Sequence, residues 1–164
     1  MGTKGTAKVT LPGDEQVLIT REFEAPRHLV FRAWTTPDLV KRWWSGHHGT
    51  MASVEIDLRV GGRWRYVMET NEGPSIAFHG EFREVVPDER LVNTEVYEMS
   101  GDPESDPAAV VTTEFADAGQ GRTALTMLTV MPDKESRDAM VASGMEVGVQ
   151  EQMDVLEELA AALS

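Results

Sequence analysis

The chain has 164 residues, a formal net charge of −13 and no cysteine. This length fits one domain with its own core, and the absence of cysteine excludes disulfides and thiol chemistry and fits a reducing cytoplasm. The negative charge opposes a phosphate backbone and so disfavours nucleic-acid binding, and no apolar run approaches the ~20 residues of a membrane span.

The first elements follow a short leader. Residues 1–15 lack the apolar segment of a signal peptide, and we interpret them as flexible. Residues 16–164 contain no repeat and no linker, which predicts a single domain. The alternation in VLITREF predicts a first strand, and Pro26 has the backbone angle preferred in a first helical turn. A second short helix, PDLVKRWW, begins after Thr36.

Strands and one long helix complete the pattern. Six more strands are predicted at residues 51–59, 63–70, 75–86, 90–98, 110–117 and 122–131. From Pro132 onward, apolar residues recur every three or four positions, which predicts one helix of about 45 Å. A sheet of about seven antiparallel strands with one apolar face needs a cover, and only this helix is long enough. We therefore expect an α+β fold with two short helices after the first strand.

Tryptophan is unusually concentrated in this chain. Trp34, Trp43 and Trp44 fall within eleven residues, and Trp64 follows a Gly-Gly turn. Such a cluster predicts a shared core or the wall of a pocket. One face of the helix that carries Trp43 and Trp44 must point away from the core, so one of these two rings is expected at a cavity mouth or an interface. That face and the sheet edges also suggest a homodimer.

Four segments carry a family resemblance: ITREFEAPRHLVFRAWTTPDLVKRWW, DLRVGGRWRYVM, FHGEFREVVPDERLV and GMEVGVQEQMDVLEELAAAL. With the order of elements, they resemble the START-like (SRPBCC) superfamily, in the branch related to the C-terminal domain of the heat-shock protein 90 ATPase activator. The resemblance spans about residues 16–163. It implies a helix-grip fold, in which a curved sheet wraps around the C-terminal helix and leaves a deep cavity between them.

Alternation and helical periodicity turn mostly apolar residues toward this cavity. They are Trp43, Trp64, Tyr66, Met68, Phe78, Phe82, Phe115, Met127, Met145, Gly148, Val149 and Met153. Gly144 and Gly148, one turn apart, either allow close packing or leave room for a ligand. Arg21 has the parity of the inward residues of its strand, and a buried arginine needs a carboxylate. It is either a salt bridge that closes one end of the sheet or a polar ligand anchor.

Catalytic and metal-binding motifs are absent from the sequence. His47 and His48 are adjacent in a loop, but no HExxH or CxxC spacing accompanies them, so we expect no metal and no cofactor. No serine has the GxSxG setting of a nucleophile elbow. Five strand carboxylates are predicted on solvated faces: Glu55, Asp57, Glu69, Glu81 and Glu95. An inward placement of one of them beside a tyrosine or arginine would point to function.

Three functions remain open. The first is non-enzymatic binding of a small apolar or aromatic molecule in the cavity. The second is a chaperone-activator-like module that interacts with a chaperone, and the third is an enzyme like the polyketide aromatases and cyclases. The first is favoured because the inward positions are almost all apolar. We expect a cytoplasmic protein with no nucleic-acid or membrane partner.

Overall fold

The computed structural model of the chain describes residues 6–45, 49–71, 73, 75–98, 109–142 and 144–163. The strands are β1 (Lys8–Thr10), β2 (Gln16–Phe23), β3 (Gly49–Ile56), β4 (Arg63–Thr70), β5 (Ser75–Val86), β6 (Arg90–Tyr97), β7 (Ala109–Gly119) and β8 (Arg122–Val130). The helices are α1 (Arg27–Thr35), α2 (Pro37–Trp43), α3 (Lys134–Ala142) and α4 (Met145–Ala162). Within these ranges, none of the helices combines the length and apolar character needed to cross a bilayer.

The strands form one antiparallel sheet in the order β1-β2-β8-β7-β6-β5-β4-β3. Strands β3 to β8 form a meander, in which each strand pairs with the next along the chain. Helices α1 and α2 connect β2 to β3, which lies at the far edge of the sheet. The predicted helix-grip arrangement, with α4 at the C-terminal end of an α+β fold, is confirmed, although the described sheet has eight strands rather than about seven.

The additional strand lies in the segment that the sequence predicts to be a flexible leader. Strand β1 pairs with β2, and the backbone of Ala7 exchanges two hydrogen bonds with the side chain of Gln150 on α4, at 3.1 and 2.6 Å. The buried Arg137 donates a hydrogen bond to the carbonyl oxygen of Gly13 at 2.9 Å. Residues 8–10 therefore form a strand where a leader is predicted, and the partners Arg137 and Gln150 lie more than a hundred residues away and leave no local pattern.

The predicted C-terminal helix is also different, because it is divided into α3 and α4. Gly144 precedes Met145 with a φ of 83°, a left-handed conformation that glycine adopts readily and that a continuous helix does not contain. Gly144 therefore does not share a helical face with Gly148. Helix α4 alone has 18 residues and is about 27 Å long.

The core lies between α1, α2, α4 and one face of the sheet, which we call the inner face. Over β2, β7 and β8 this face is sealed, since Ile19, Phe115 and Leu125 are at most 2% exposed. Burial of such side chains contributes about 1.5–3 kcal/mol each. Over β4 and β5 the same face is less covered, and Tyr66 and Phe78 keep accessible surface. The less covered half of the inner face is the place to look for a site.

Candidate functional site

Five aromatic side chains form a continuous row on this less covered half. Ring centroids lie 4.8 Å apart for Trp64 and Tyr66, 5.4 Å for Tyr66 and Trp44, 5.2 Å for Trp44 and Phe78, and 5.0 Å for Phe78 and Tyr97. The first three contacts are edge-to-face and the last is stacked, both favoured geometries for aromatic pairs. We call these five residues the aromatic row.

Strand register and the end of one helix bring the row together. Tyr66 pairs with Phe78 between β4 and β5, and Phe78 pairs with Tyr97 between β5 and β6. Residues directly opposite each other point to the same face, so these three rings lie on one line across the sheet. Trp44 follows α2 and packs on this line, and its carbonyl oxygen accepts a hydrogen bond from the Gln152 side chain of α4. The row is thus held between the sheet and the helices.

Gly80 makes room for Trp64, the first member of the row. The indole N–H of Trp64 on β4 donates a hydrogen bond to the carbonyl oxygen of Thr94 on β6 at 3.1 Å, across β5. A Cβ at Gly80 would lie 1.8 Å from that oxygen and 2.6 Å from the Trp64 nitrogen. A glycine is therefore required at this position of β5 for the indole to cross it.

Glu95 places a carboxyl group on the same inner face. It lies on β6 two residues before Tyr97 and pairs with Ala109 of β7, whose buried side chain fixes the direction of both. Burial raises the pKa of Glu95 to about 7, while part of its side chain stays accessible. Burial also raises the pKa of Tyr66, and the charge of Glu95 adds to that effect. The structure therefore brings a buried carboxyl and a phenol together inside the site.

The prediction that Glu95 lies on a solvated face is wrong. The other four strand carboxylates are exposed as predicted: Glu55, Asp57, Glu69 and Glu81. Alternation along β6 does not show which of its faces points inward, because Leu91 and Val96 lie on opposite faces and are both buried. The regular alternation of β7, where Val111 and Phe115 are buried, would have oriented β6 if the strand register had been known.

No cation pairs with Glu95 among the residues that the structure describes. Glu98, three residues further along the chain, is instead paired with Arg65 and His79, each at 2.9 Å. Burial of a carboxylate without a partner disfavours the charged form, which is why the pKa of Glu95 rises, whereas the hydrogen bond from Arg65 lowers the pKa of Glu98. Glu95 is therefore the carboxyl that is still available to an incoming group.

The predicted cavity residues fall into two groups. Those that keep accessible surface are Tyr66, Phe78, Met127 and Met145. Those that are between 1% and 8% exposed and pack within the core are Trp43, Trp64, Met68, Phe82, Phe115, Val149 and Met153. Such burial leaves little space for a ligand, so the open part of the predicted cavity is limited to the surroundings of the first group.

Gly148 borders free space. A Cβ at Gly148 would meet no atom within 4 Å. Gly148 lies one turn before Gln152 on α4, and Gln152 reaches the carbonyl of Trp44. Because residues one turn apart share a helical face, this free space lies on the side of α4 that faces α2 and the aromatic row. A molecule on this side of α4 would therefore meet no side chain at position 148.

Two other predicted site residues have structural contacts. Trp43 packs on Trp34 with ring centroids 5.0 Å apart and donates its indole N–H to the carbonyl of Ala33 at 2.9 Å, so Trp44 is the member of the pair that faces the row. Arg21 lies on the opposite half of the sheet, where its side chain is 0% exposed.

Arg21 joins the sheet to the C-terminal helix. Its guanidinium donates to Asp154 at 2.6 Å and to Glu157 at 3.1 Å, and it lies 5.0 Å from the ring centroid of Phe23. The geometry therefore supports the salt bridge, and Arg21 has no contact with the aromatic row.

Other candidate sites are weaker. His47 and His48 lie outside the described residues, and within the described part of the chain no three His, Asp or Glu side chains are grouped to hold a metal ion. Two open surface depressions have volumes of about 340 and 350 Å³. The first is lined by residues 13–16, 130 and 134, and the second by residues 26–28, 88, 117 and 119–122. Neither includes a member of the aromatic row.

Comparison with known proteins agrees with this architecture. A family model described as Activator of Hsp90 ATPase homolog 1-like protein matches residues 24–161. No curated protein matches the chain. A solved structure from Rhodobacter sphaeroides is 25% identical with a TM-score of 0.85, covering 96% of this chain and 99% of that one. A second, from Nitrosomonas europaea, is 26% identical with a TM-score of 0.80, covering 93% and 97%. A third, from Mycobacterium smegmatis, is 21% identical with a TM-score of 0.82, covering 96% and 98%, and shows the fold alone.

Proposed function

The chain belongs to the Activator of Hsp90 ATPase homolog 1-like family, and within this fold we propose that it is a non-enzymatic binder of a small aromatic molecule. The ligand occupies the gap between α4 and the aromatic row. The observation that carries the proposal is the row itself, which presents partly accessible rings on the less covered half of the inner face. Family membership supports the fold, and the site supports the function.

An aromatic ligand suits the row better than an aliphatic one. Tyr66, Phe78 and Trp44 already pack edge-to-face, and an additional ring can join them in the same geometry. Each such contact contributes about 0.5–1.5 kcal/mol beyond the burial of apolar area. A purely structural cluster would gain nothing from Glu95, because burying a carboxyl without a partner lowers stability. The carboxyl therefore supports a binding role for this part of the inner face.

Binding is favoured over catalysis by the same inner face. The groups able to move a proton there, among the described residues of the row and β6, are the carboxyl of Glu95 and the phenols of Tyr66 and Tyr97. An enzyme of the aromatase or cyclase type needs several polar groups that converge on the substrate. Among the described residues of β4 and β5, the other inner-face side chains include Met68, Ile76 and Phe82, which are apolar. Such a wall can hold a molecule but offers little chemistry.

Chaperone activation is the second candidate, and it is supported by the description of the family model. In this function the outer surface would contact the chaperone, and the aromatic row would not be needed. Stimulation of the ATPase rate of an Hsp90-type chaperone by the purified protein tests it directly. Stimulation that is unchanged by substitutions in the row would separate the two functions.

Binding of N-phenyl-1-naphthylamine, a neutral aromatic probe that fluoresces in apolar sites, tests the proposed function. Phe78→Leu and Trp44→Leu keep apolar bulk but remove a ring face, and each should weaken binding about tenfold, or about 1.4 kcal/mol. Val60→Ala is the control, because Val60 is an apolar residue that is 64% exposed outside the row. Thermal unfolding confirms that each variant is folded. Equal probe affinity in the wild type and both ring variants would contradict the proposal.

A further inference from the structure

Among the described residues, the inner face of β4, β5 and β6 carries a negative charge and no positive charge. Glu95 is the only charged side chain there among the described residues, since the neighbouring inner positions of β6 hold Leu91, Asn93 and Tyr97. The arginines of these strands lie on the other face, where Arg65 is paired with Glu98. On the described residues of these three strands, the inner face therefore combines aromatic rings with one carboxyl and carries no cation.

We propose that the ligand of the aromatic row is an aromatic amine, with its protonated nitrogen paired with Glu95 and its ring packed on Tyr66 and Phe78. This inference rests on the function proposed above and adds the chemical class of the ligand. Both halves of such a molecule have a partner in the site, because the ring extends the edge-to-face contacts of the row and the ammonium group supplies the missing cation.

Other ligand classes fit the same site less well. A neutral aromatic molecule would cover Glu95 and leave it without a partner, which is unfavourable for a buried polar group. An aromatic carboxylate would bring a second negative charge beside Glu95, in a chain whose formal net charge is already −13. A cation is also attracted to the faces of Tyr66, Phe78 and Trp44, so the rings and the carboxyl act in the same direction.

The electrostatics of the site support this assignment. Burial raises the pKa of Glu95. The pKa of Tyr66 is raised by burial and, in addition, by the charge of Glu95. A tyrosine is neutral near neutral pH and supplies no positive charge. An ammonium group beside Glu95 would stabilise the ionised carboxyl and offset the effect of burial. Because Tyr66 is neutral, the positive charge that would pair with Glu95 is expected to come from the ligand.

Three probes of similar size test the inference: 2-phenylethylamine, n-propylbenzene and phenylacetate. The first two differ by replacement of an ammonium group with a methyl group. At about pH 8 the amine is protonated, as a lysine side chain would be, and Glu95 is mostly ionised. Affinities are measured by chemical-shift titration of the labelled protein. We expect the amine to bind about tenfold more tightly than n-propylbenzene, and phenylacetate to bind most weakly.

Variants separate the row from the general acidity of the chain. Glu95→Gln should abolish the preference for the amine and should not weaken n-propylbenzene, which then no longer covers a charged group, whereas Phe78→Leu should weaken both probes. Glu81→Gln is the matched control, because Glu81 is exposed on the outer face of β5 and its loss should leave the preference unchanged. Preference retained in Glu95→Gln would overturn the inference, since it would come from the acidic surface.

The two proposals fail in different ways. Equal affinity for the amine and n-propylbenzene, with both lost in Phe78→Leu, would overturn the amine class and leave aromatic binding supported. Binding of neither probe, or binding that Phe78→Leu does not change, would overturn the function proposed for the row and the amine class with it.

Discussion

Replacement of Glu95 by glutamine removes a charge from the site and nearly preserves the shape of the side chain. Burial raises the pKa of this carboxyl from its ordinary value of 4.5 to about 7. A raised pKa means that the folded chain holds the proton more tightly than the unfolded chain does. The contribution of Glu95 to the stability of the folded state therefore falls as the pH rises from about 4.5 to about 7, and this loss is complete above that range.

The size of the effect follows from the two pKa values. They differ by about 2.5, and one pKa unit corresponds to about 1.4 kcal/mol, so the full effect is about 3 kcal/mol. At about pH 4 the carboxyl is largely protonated in both states, and Glu95→Gln should differ little from the wild type. Above about pH 8 the variant should be more stable by up to about 3 kcal/mol, or about 6–12 °C in Tm for a chain of this size.

Urea denaturation of both proteins across this pH range measures the difference. Glu81→Gln serves as the control because Glu81 is exposed on the outer face of β5, and its effect on stability should be small. Acidic groups elsewhere contribute equally to all three proteins and cancel in the comparison. A difference between Glu95→Gln and the wild type that stays constant with pH, or a variant that is less stable at alkaline pH, would refute the burial of this carboxyl.

Three further sites give predictions for stability in urea. Gly80→Ala should destabilise the fold by at least about 1–3 kcal/mol, because its Cβ would lie 1.8 Å from the Thr94 carbonyl. Gly148→Ala should stabilise the fold by about 1 kcal/mol, because its Cβ would meet no atom within 4 Å. Equal changes in stability for Gly80→Ala and Gly148→Ala would contradict both the close contact at Gly80 and the free space at Gly148. Arg21→Met should lower the free energy of unfolding by about 3–5 kcal/mol, because it breaks a buried ion pair. The control Arg59→Met breaks an exposed ion pair and should lower it by less than about 1 kcal/mol. A small loss at Arg21 would contradict its structural role.

Much of the architecture could be predicted because it depends on local patterns. The alternation of Trp64, Tyr66 and Met68 on β4 predicts one inner face, and the structure places these side chains there. The period change after Pro132 predicts the helical C-terminal region in the same way. Of the pair Trp43 and Trp44, Trp43 is buried, and Trp44 is partly buried and packs on Tyr66 and Phe78.

The features that sequence reasoning missed depend on distant partners or on a single backbone angle. Strand β1 exists because its backbone pairs with β2 and Gln150 holds the preceding Ala7, and the three residues KVT are too few to show a strand periodicity. Gly144 looks like a helical residue in the apolar pattern, and only its φ of 83° ends the helix. Glu95 is turned inward by its pairing with β7, while its own strand has a buried apolar residue on each face. Predicting the candidate site therefore requires knowledge of the strand register as well as of the residues.

The position of a bound aromatic amine tests the central claim most directly. In labelled protein with 2-phenylethylamine, intermolecular nuclear Overhauser effects report which side chains lie beside the probe. The account predicts contacts from the ring of the probe to Tyr66, Phe78 and Trp44, and from its ethylene protons to Glu95. Contacts confined to the surface depressions, such as the one lined by residues 13–16, would show that the amine binds the acidic surface and would contradict the site.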